Sequence, residues 1–284
     1  DSGQLGLGDI TDRSSPVQVG TLKWVKISAG DFHTMAIRSD GSLWAWGNNS
    51  QGQLGLNTIP LQNKSSPVQV GSLTWSKISA GGTHTVAIRS DNTLWAWGYN
   101  ASGQLGLNVI TSSYSSPVQV GTSSWTTVRA GSSATLAIRT DGGLFTWGGG
   151  RTGGAPLGSN STASRSSPVQ VGADTTWLNI ASGRYNTLAT KTDGTLWCWG
   201  TNSYGQLGDD TTVSKSSPVQ TVAFGTNWQH LNADFIPTPY QIVKKNGINF
   251  IIANSLQILS KQVEEKKILW SCLKQLFLKK YVTH

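Results

Sequence analysis

A short string of residues recurs along this chain at nearly constant spacing, and this repeat restricts the possible folds more than any other feature. The 284-residue sequence contains Ser-Ser-Pro-Val-Gln five times, in steps of 51, 50, 51 and 50 residues, with its proline at Pro16, Pro67, Pro117, Pro168 and Pro218. A Trp-Gly pair and a Gly-Gln-Leu-Gly tetrad recur in the same register. A period of this length indicates a repeat architecture.

Each unit shows local signals of β-structure. Two short runs of β-forming residues flank Asp40-Gly41, a pair typical of two-residue hairpin turns, since both positions accept positive φ. Upstream, residues 16–19 and Trp24–Ala29 are predicted to form two more strands, separated by Gly20. Four short strands in about 50 residues predict an all-β fold, a β-propeller of four-stranded blades.

Four of the units match one another well, and the fifth is degenerate. Trp228 aligns with Trp177, but residues 232–234 no longer match, and Asn246-Gly247 still indicates a hairpin turn. We therefore assign residues 1–255 to a β-propeller repeat domain. The sequence leaves open whether the propeller is closed, or incomplete and open.

Residues 256–284 differ in composition from the repeats. They contain no Gly or Pro, and Leu259, Val263 and Trp270 follow helical spacing, which predicts a C-terminal basic amphipathic helix. This segment could be a cap that lies against the last blade, a helix that contacts a membrane surface or a partner, or a tail that is foreign to the repeats.

The net charge of +8 is unevenly distributed. Residues 1–228 hold 14 Lys and Arg against 11 Asp and Glu, a balance of +3, whereas residues 229–284 hold 8 against 3, a balance of +5. A nearly neutral propeller argues against a broad phosphate-binding surface, so we expect no specific nucleic-acid partner.

The His, Cys and acidic residues do not form a catalytic or metal-binding pattern. His33 and His84 occupy one repeat position, where other units have Ala134 and Asn186, so this position is not expected to hold a catalytic base. No Gly-x-x-x-x-Gly-Lys phosphate loop occurs, the acidic residues are scattered, and the two Cys have no ligand-type neighbours. The sequence therefore predicts no enzyme activity, no catalytic residues, no metal site and no cofactor.

Two sets of positions vary between units while their flanks stay the same. One is the dipeptide before the His position, and the other is the loop after each Gly-Gln-Leu-Gly. Variable loops on a fixed scaffold are typical of binding sites, and aromatic and Arg side chains often dominate interfaces. We predict partner-binding residues at Asp31, Phe32, Thr83, Ser133, Arg184 and Tyr185 in the first set, and at Tyr114 and Arg165 in the second.

The motifs and their order resemble a known family. Residues 97–106, Trp-Gly-Tyr-Asn-Ala-Ser-Gly-Gln-Leu-Gly, and residues 80–88 followed by the run 94–98, are similar to repeats of the regulator of chromosome condensation family. The resemblance covers about residues 1–255, and the near-identical copies look like those of its bacterial members. It implies a β-propeller, usually of seven blades, that binds partners through its faces.

These observations favour a non-enzymatic scaffold that binds a protein or glycan partner through propeller-face loops. An exported surface adhesin or a self-assembling filament subunit is the first alternative, because the chain has little charge and much Asn, Ser, Thr and Gly. The same composition favours an extracellular or cell-surface location without determining the compartment.

The resemblance adds two further hypotheses. Guanine-nucleotide exchange on a small GTPase is implied by the family's founding member and is the second alternative. Light sensing, which also occurs in the family, is disfavoured because the Trp of that motif is replaced here by Phe32, Thr83, Ser133 and Tyr185.

Overall fold

The computed structural model describes residues 2–111, 113–149, 157–161, 163–222, 228–231, 240–245 and 248–253. This part of the chain is all-β, built from antiparallel strands, and contains no helix. The helix predicted over residues 256–284 lies outside the described residues.

The strands follow the sequence repeat unit by unit. The first unit contains β1 (Trp24–Ala29), β2 (His33–Arg38) and β3 (Ser42–Gly47). The second and third contain β4 (Lys64–Ala80), β5 (His84–Arg89), β6 (Thr93–Tyr99), β7 (Ser113–Ala130), β8 (Ala134–Arg139), β9 (Leu144–Gly148) and β10 (Arg165–Gln170). The fourth contains β11 (Trp177–Ser182), β12 (Asn186–Lys191), β13 (Leu196–Gly200) and β14 (Lys215–Gln220). The fifth contains β15 (Trp228–Leu231), β16 (Tyr240–Lys245) and β17 (Ile248–Ala253).

The two longest strands each serve two blades. The first half of β4 pairs with β3 and the second half pairs with β5, and β7 joins β6 to β8 in the same way. Strands β1 to β10 therefore form one sheet in chain order, followed by the four-stranded sheet β11–β14 and the three-stranded sheet β15–β17. Gly71, the counterpart of Gly20 in the second unit, has a φ of 56° and lies inside the continuous strand β4.

Hairpin turns form at the predicted places in the first four units, and the turn predicted at Asn246-Gly247 lies outside the described residues. The turn of the first unit is not the predicted two-residue type, because Gly41 has a positive φ and Asp40 does not. Gly41 has a φ of 80°, and its backbone N–H donates to the carbonyl oxygen of Arg38 at 3.0 Å. Asp40 Oδ1 accepts from the backbone N–H of Ser42 at 2.9 Å and from its hydroxyl at 2.6 Å. These hydrogen bonds hold the pKa of the Asp40 carboxyl below its usual value.

Tryptophan side chains fill the core of each blade. Trp97 is fully buried, and its ring centroid lies 5.7 Å from that of Trp75. Trp75 also meets Trp95 edge to face at 6.2 Å. The same cluster contains Met35 and Leu43 of the first blade, so the aromatic residues also join neighbouring blades.

The Gly-Gln-Leu-Gly tetrad fastens each unit to the next. The carbonyl oxygen of Gln53 accepts from Trp97 Nε1 at 2.9 Å and from the hydroxyl of Thr85 at 2.8 Å. Leu54 is fully buried in the cluster between the two blades. The motif therefore has a structural role at a blade junction.

The strand predicted at residues 16–19 is not formed. In the second unit, the equivalent residues pair with the Trp-Gly strand of the preceding unit, with Gln69 opposite Trp44 and Val68 opposite Ala45. Residues 14–20 have no strand beside them in the described part of the chain and are largely exposed. The same sequence therefore needs a neighbouring strand to become extended β-structure.

Candidate functional site

The variable dipeptides form the tips of the short turns that follow the innermost strands. In each of the first four units, a glycine precedes the dipeptide, and its backbone N–H donates to the carbonyl oxygen of the residue that follows the dipeptide. For Gly30 and His33 the distance is 2.8 Å, and for Gly183 and Asn186 it is 2.9 Å. We call residues 31–32, 82–83, 132–133 and 184–185 the inner-rim set.

The backbone of the inner-rim set is anchored on two sides. The carbonyl oxygen of Phe32 accepts from the backbone N–H of Asn48 at 2.8 Å, and the carbonyl oxygen of Tyr185 accepts from Thr201 at 2.9 Å. Between blades, the backbone N–H of Asp31 donates to the carbonyl oxygen of Gly81 at 3.3 Å. These bonds fix the turns while the side chains at their tips vary.

The side chains of the set give it a mixed chemistry. Phe32, Asp31 and Arg184 are exposed, and Thr83, Ser133 and Tyr185 are partly buried. The guanidinium of Arg184 lies over the Tyr185 ring, 5.2 Å from its centroid. The set therefore presents an aromatic surface with one cation, Arg184, and one carboxylate, Asp31.

Within the set, the charge of Arg184 in the fourth unit acts on the carboxyl of Asp31 in the first unit. Desolvation at the rim raises the pKa of the Asp31 carboxyl, and the positive charge of Arg184 opposes this shift. An added Cβ at Gly82 would lie 3.2 Å from Asp31 Oδ2, so the Asp31 carboxylate projects over the second unit. Side chains 153 positions apart in the sequence therefore influence each other electrostatically.

Two buried histidines directly follow dipeptides of the inner-rim set and contact threonines of the next unit. His33 Nε2 lies 2.8 Å from the hydroxyl of Thr85, and His84 Nε2 lies 3.0 Å from the hydroxyl of Thr135. Thr85 donates its own hydroxyl hydrogen to the carbonyl oxygen of Gln53, so His33 Nε2 must be the donor. Burial lowers the pKa of His33 to about 3 and that of His84 to about 4, which keeps both rings neutral.

Two predicted residues lie farther out on the same rim. Tyr114 is opposite Gly98, and Arg165 is opposite Gly148, each at the start of the outer strand of its blade. Gly98 of β6 is also opposite His84 of β5. Tyr114 of β7 therefore lies two strand spacings, roughly 10 Å, from His84. Tyr114 is partly buried against the core, and Arg165 Nη2 lies 3.5 Å from Ser161 Oγ. The structure therefore brings six of the eight predicted residues together and leaves these two outside the set.

The structural signal that sequence reasoning missed is the row of glycines before the inner-rim set. An added Cβ at Gly30 would lie 2.2 Å from the carbonyl oxygen of Gly81, and at Gly81 it would lie 2.6 Å from that of Gly131. Only glycine permits this close approach of successive inner strands. Its recurrence in the first four units was visible in the sequence as Ala-Gly or Ser-Gly before each dipeptide.

Within the described residues, no group of three or more His, Cys, Asp and Glu side chains is placed to hold a metal ion. Cys198 is buried, and burial raises the pKa of its thiol far above the usual value. The same part of the chain contains no helix long and apolar enough to cross a membrane.

Comparison with known proteins places these features in a family context. A family model described as an RCC1-like domain matches residues 1–234. The human probable E3 ubiquitin-protein ligase HERC6 is 37% identical over 113 residues, covering 37% of this chain and 11% of HERC6. The ultraviolet-B receptor UVR8 of Arabidopsis thaliana is 41% identical over 112 residues, covering 37% of this chain and 25% of UVR8. The chain thus spans a quarter or less of these relatives.

Solved structures show the same fold at low sequence identity. Human WBSCR16 superposes with a TM-score of 0.68 at 19% identity, covering 82% of this chain and 64% of that one. Prp20p from Saccharomyces cerevisiae, reported with its binding to Gsp1p and histones, gives 0.66 at 19% identity, with coverages of 93% and 63%. These relatives are eukaryotic, and the expected likeness to bacterial members stays a prediction.

Proposed function

The chain belongs to the RCC1-like family, and we propose that it is a non-enzymatic binding module that holds a protein partner on its inner-rim set. The observation that carries the proposal is the division between fixed backbone and varied side chains at this rim. The turns are held by the same hydrogen bonds in all four units, while their tips carry Asp31-Phe32, Gly82-Thr83, Ser132-Ser133 and Arg184-Tyr185.

The chemistry of the set favours a folded protein surface as the partner. Phe32 and Tyr185 offer aromatic area with few rotatable bonds, and Arg184 offers a planar cation already stacked on Tyr185. Such residues supply a large share of the binding free energy at protein interfaces. We infer that the partner places a carboxylate against Arg184 and apolar side chains against Phe32 and Tyr185.

The solved relatives support a protein as the kind of partner. Yeast RCC1, also called Prp20, is reported with Gsp1p and histones in one structure and is bound to Kap60 in another. Those partners belong to that protein, and for this chain only the class of partner is proposed. Guanine-nucleotide exchange is compatible with the family, but no residue described here favours it.

Affinity capture with matched variants tests the proposal. The variant Phe32→Ala/Arg184→Ala/Tyr185→Ala removes the aromatic and cationic tips, while Leu178→Ala removes an exposed apolar side chain from strand β11. We expect a protein that binds the unmodified chain and the Leu178→Ala chain, with affinity at least a hundredfold lower for the triple variant. Equal binding to all three chains would refute the assignment of this rim.

Measurement of nucleotide release separates simple binding from guanine-nucleotide exchange. Purified small GTPases loaded with labelled nucleotide are mixed with the chain, and nucleotide release is measured. We expect no acceleration. Release that depends on Phe32, Arg184 or Tyr185 would replace simple binding by nucleotide exchange at the same rim.

A further inference from the structure

Three positively charged side chains lie on the innermost strands of the first three units. Lys26 of β1 is opposite Ile37, and Lys77 of β4 is opposite the equivalent Ile88, so the two lysines share one repeat position. Arg129 lies on β7, two residues beyond that position. We call Lys26, Lys77 and Arg129 the cation row.

Both lysines of the cation row reach the innermost strand of the next unit in the same way. Lys26 Nζ donates to the backbone carbonyl oxygen of Ser76, and Lys77 Nζ donates to that of Thr126. Since Ser76 directly precedes Lys77, each ammonium is held beside the strand that carries the next cation. An ammonium has three N–H groups, and this contact uses one of them.

Arg129 stands where the first two units have a serine with a structural role. Ser28 Oγ accepts from the backbone N–H of Ala80 at 2.9 Å, and Ser79 Oγ accepts from that of Ala130 at 2.9 Å. Arg129 occupies the register position of these serines in the third unit. A guanidinium has no acceptor atom, so it cannot make this hydrogen bond. The third unit therefore has a cation in place of a residue that joins neighbouring units.

The charges of the cation row act on one another. Desolvation lowers the pKa of Lys77, and the positive charges of Lys26 and Arg129 lower it further. Desolvation also lowers the pKa of Arg129, although this residue is exposed, so the guanidinium lies in a concave part of the surface that water reaches. Within the part of the chain that the structure describes, none of the three forms a salt bridge. An anion bound among them relieves this repulsion.

We propose that the cation row binds a small anion that carries several negative charges on phosphate or carboxylate groups. The lysines offer ammonium hydrogens, and Arg129 offers a planar guanidinium that binds two oxygens at once. The three groups come from neighbouring strands in a concave region, so a compact ligand reaches all of them. Lys77 precedes Gly82 of the inner-rim set by five residues, roughly 16 Å along a strand. The site is therefore separate from the proposed protein-binding surface and needs no protein partner.

Isothermal titration of the full chain with tripolyphosphate at low ionic strength tests the site. We expect saturable binding that Lys77→Gln and Arg129→Ser each weaken at least tenfold. Arg129→Ser restores the residue of the first two units, so the variant is expected to fold. Lys23→Gln is the matched control, because it removes the same charge from an exposed residue before β1 and should change the affinity less than twofold. No binding to the unmodified chain, or equal weakening by Lys23→Gln, would overturn the proposal.

Urea unfolding with tripolyphosphate or citrate distinguishes phosphate from carboxylate ligands. An anion that binds the folded chain raises its free energy of unfolding. We expect this rise in the unmodified chain and its loss in Arg129→Ser, and the more effective anion identifies the preferred group. The same rise in Arg129→Ser, or no rise with either anion, would contradict the site. Affinity capture of a protein partner should be unchanged by Arg129→Ser, so this proposal and the binding role of the inner-rim set fail independently.

Discussion

Gly55 lies directly against the indole of Trp97, so that a Cβ added to this glycine would be 2.8 Å from Trp97 Nε1. The contact joins the tetrad of one unit to the Trp-Gly strand of the next. It recurs between Gly106 and Trp147 at 2.7 Å. The two most conspicuous motifs of the repeat therefore meet in space and lock successive blades together.

Gly55→Ala is expected to destabilise the chain strongly. Its φ of 72° strains any residue with a Cβ, and the new methyl group collides with a fully buried indole. Together these effects cost about 3 kcal/mol of the free energy of unfolding. Urea unfolding followed by Trp fluorescence measures the loss.

Gly71→Ala is the matched control for that measurement. Gly71 also has a positive φ, 56°, but nothing lies within 4 Å of an added Cβ. Only the backbone strain remains, so the expected loss is about 1 kcal/mol. Equal losses for the two variants would show that the contact with Trp97 adds nothing.

The buried histidines are expected to make the chain less stable below neutral pH. Their pKa values are lowered in the folded state to about 3 for His33 and about 4 for His84, while in the unfolded chain they stay near 6.5. The unfolded state therefore binds more protons between these values, and the stability present above pH 6.5 is lost as the pH falls. The free energy of unfolding then falls by up to about 1.4 kcal/mol per pH unit for each histidine.

Urea unfolding between pH 7 and pH 4.5 tests this dependence. His84→Ala, which copies the residue found at Ala134, is expected to reduce the slope by about half. The window stays above the range in which Asp40 and Asp91 titrate, because their pKa values are lowered in the folded state. An unchanged slope would mean that His84 is not a neutral buried ring.

Arg184→Ala is expected to raise the pKa of the Asp31 carboxyl further. Desolvation already raises it, and the positive charge of Arg184 is the influence that opposes this rise. Carboxyl chemical shifts followed by NMR during a pH titration measure the change. Arg89→Ala removes the partner of Asp91 instead and should leave Asp31 unchanged. A fall in the Asp31 pKa on loss of Arg184 would contradict the described geometry.

Substitutions at the inner-rim set are expected to leave stability intact. The side chains of Phe32 and Arg184 are exposed, and their backbones keep the turn hydrogen bonds whatever the side chain is. Each change to Ala should alter the free energy of unfolding by less than about 0.5 kcal/mol. Trp97→Ala, by contrast, should cost about 3–5 kcal/mol because it empties the blade core. Comparable losses at Phe32 and Trp97 would show that the rim residues serve packing.

The sequence predicted the blades because their signals are local. The residues flanking Asp40-Gly41 and the recurring Trp residues specify turns and buried faces wherever the unit stands. Residues 16–19 were mispredicted because the same string forms a strand only beside a Trp-Gly strand.

The candidate site was predicted only in part. The variation between units located the inner-rim dipeptides, because the turn geometry repeats with the motif. The electrostatic influence of Arg184 on Asp31 was not visible, since it links side chains that are far apart in the sequence. Tyr114 and Arg165 were grouped with the site because their loops vary, but strand register places them at the outer edge of the blades.

The most direct test of the proposed binding module is hydrogen exchange of the captured complex, measured by mass spectrometry. We expect the partner to slow exchange in the segments around residues 30–32, 81–83, 131–133 and 183–185 together, and to leave the hairpin turns at Gly41, Asn92, Gly142 and Gly194 unchanged. Slowed exchange at those hairpin turns with none at the inner-rim set would contradict it.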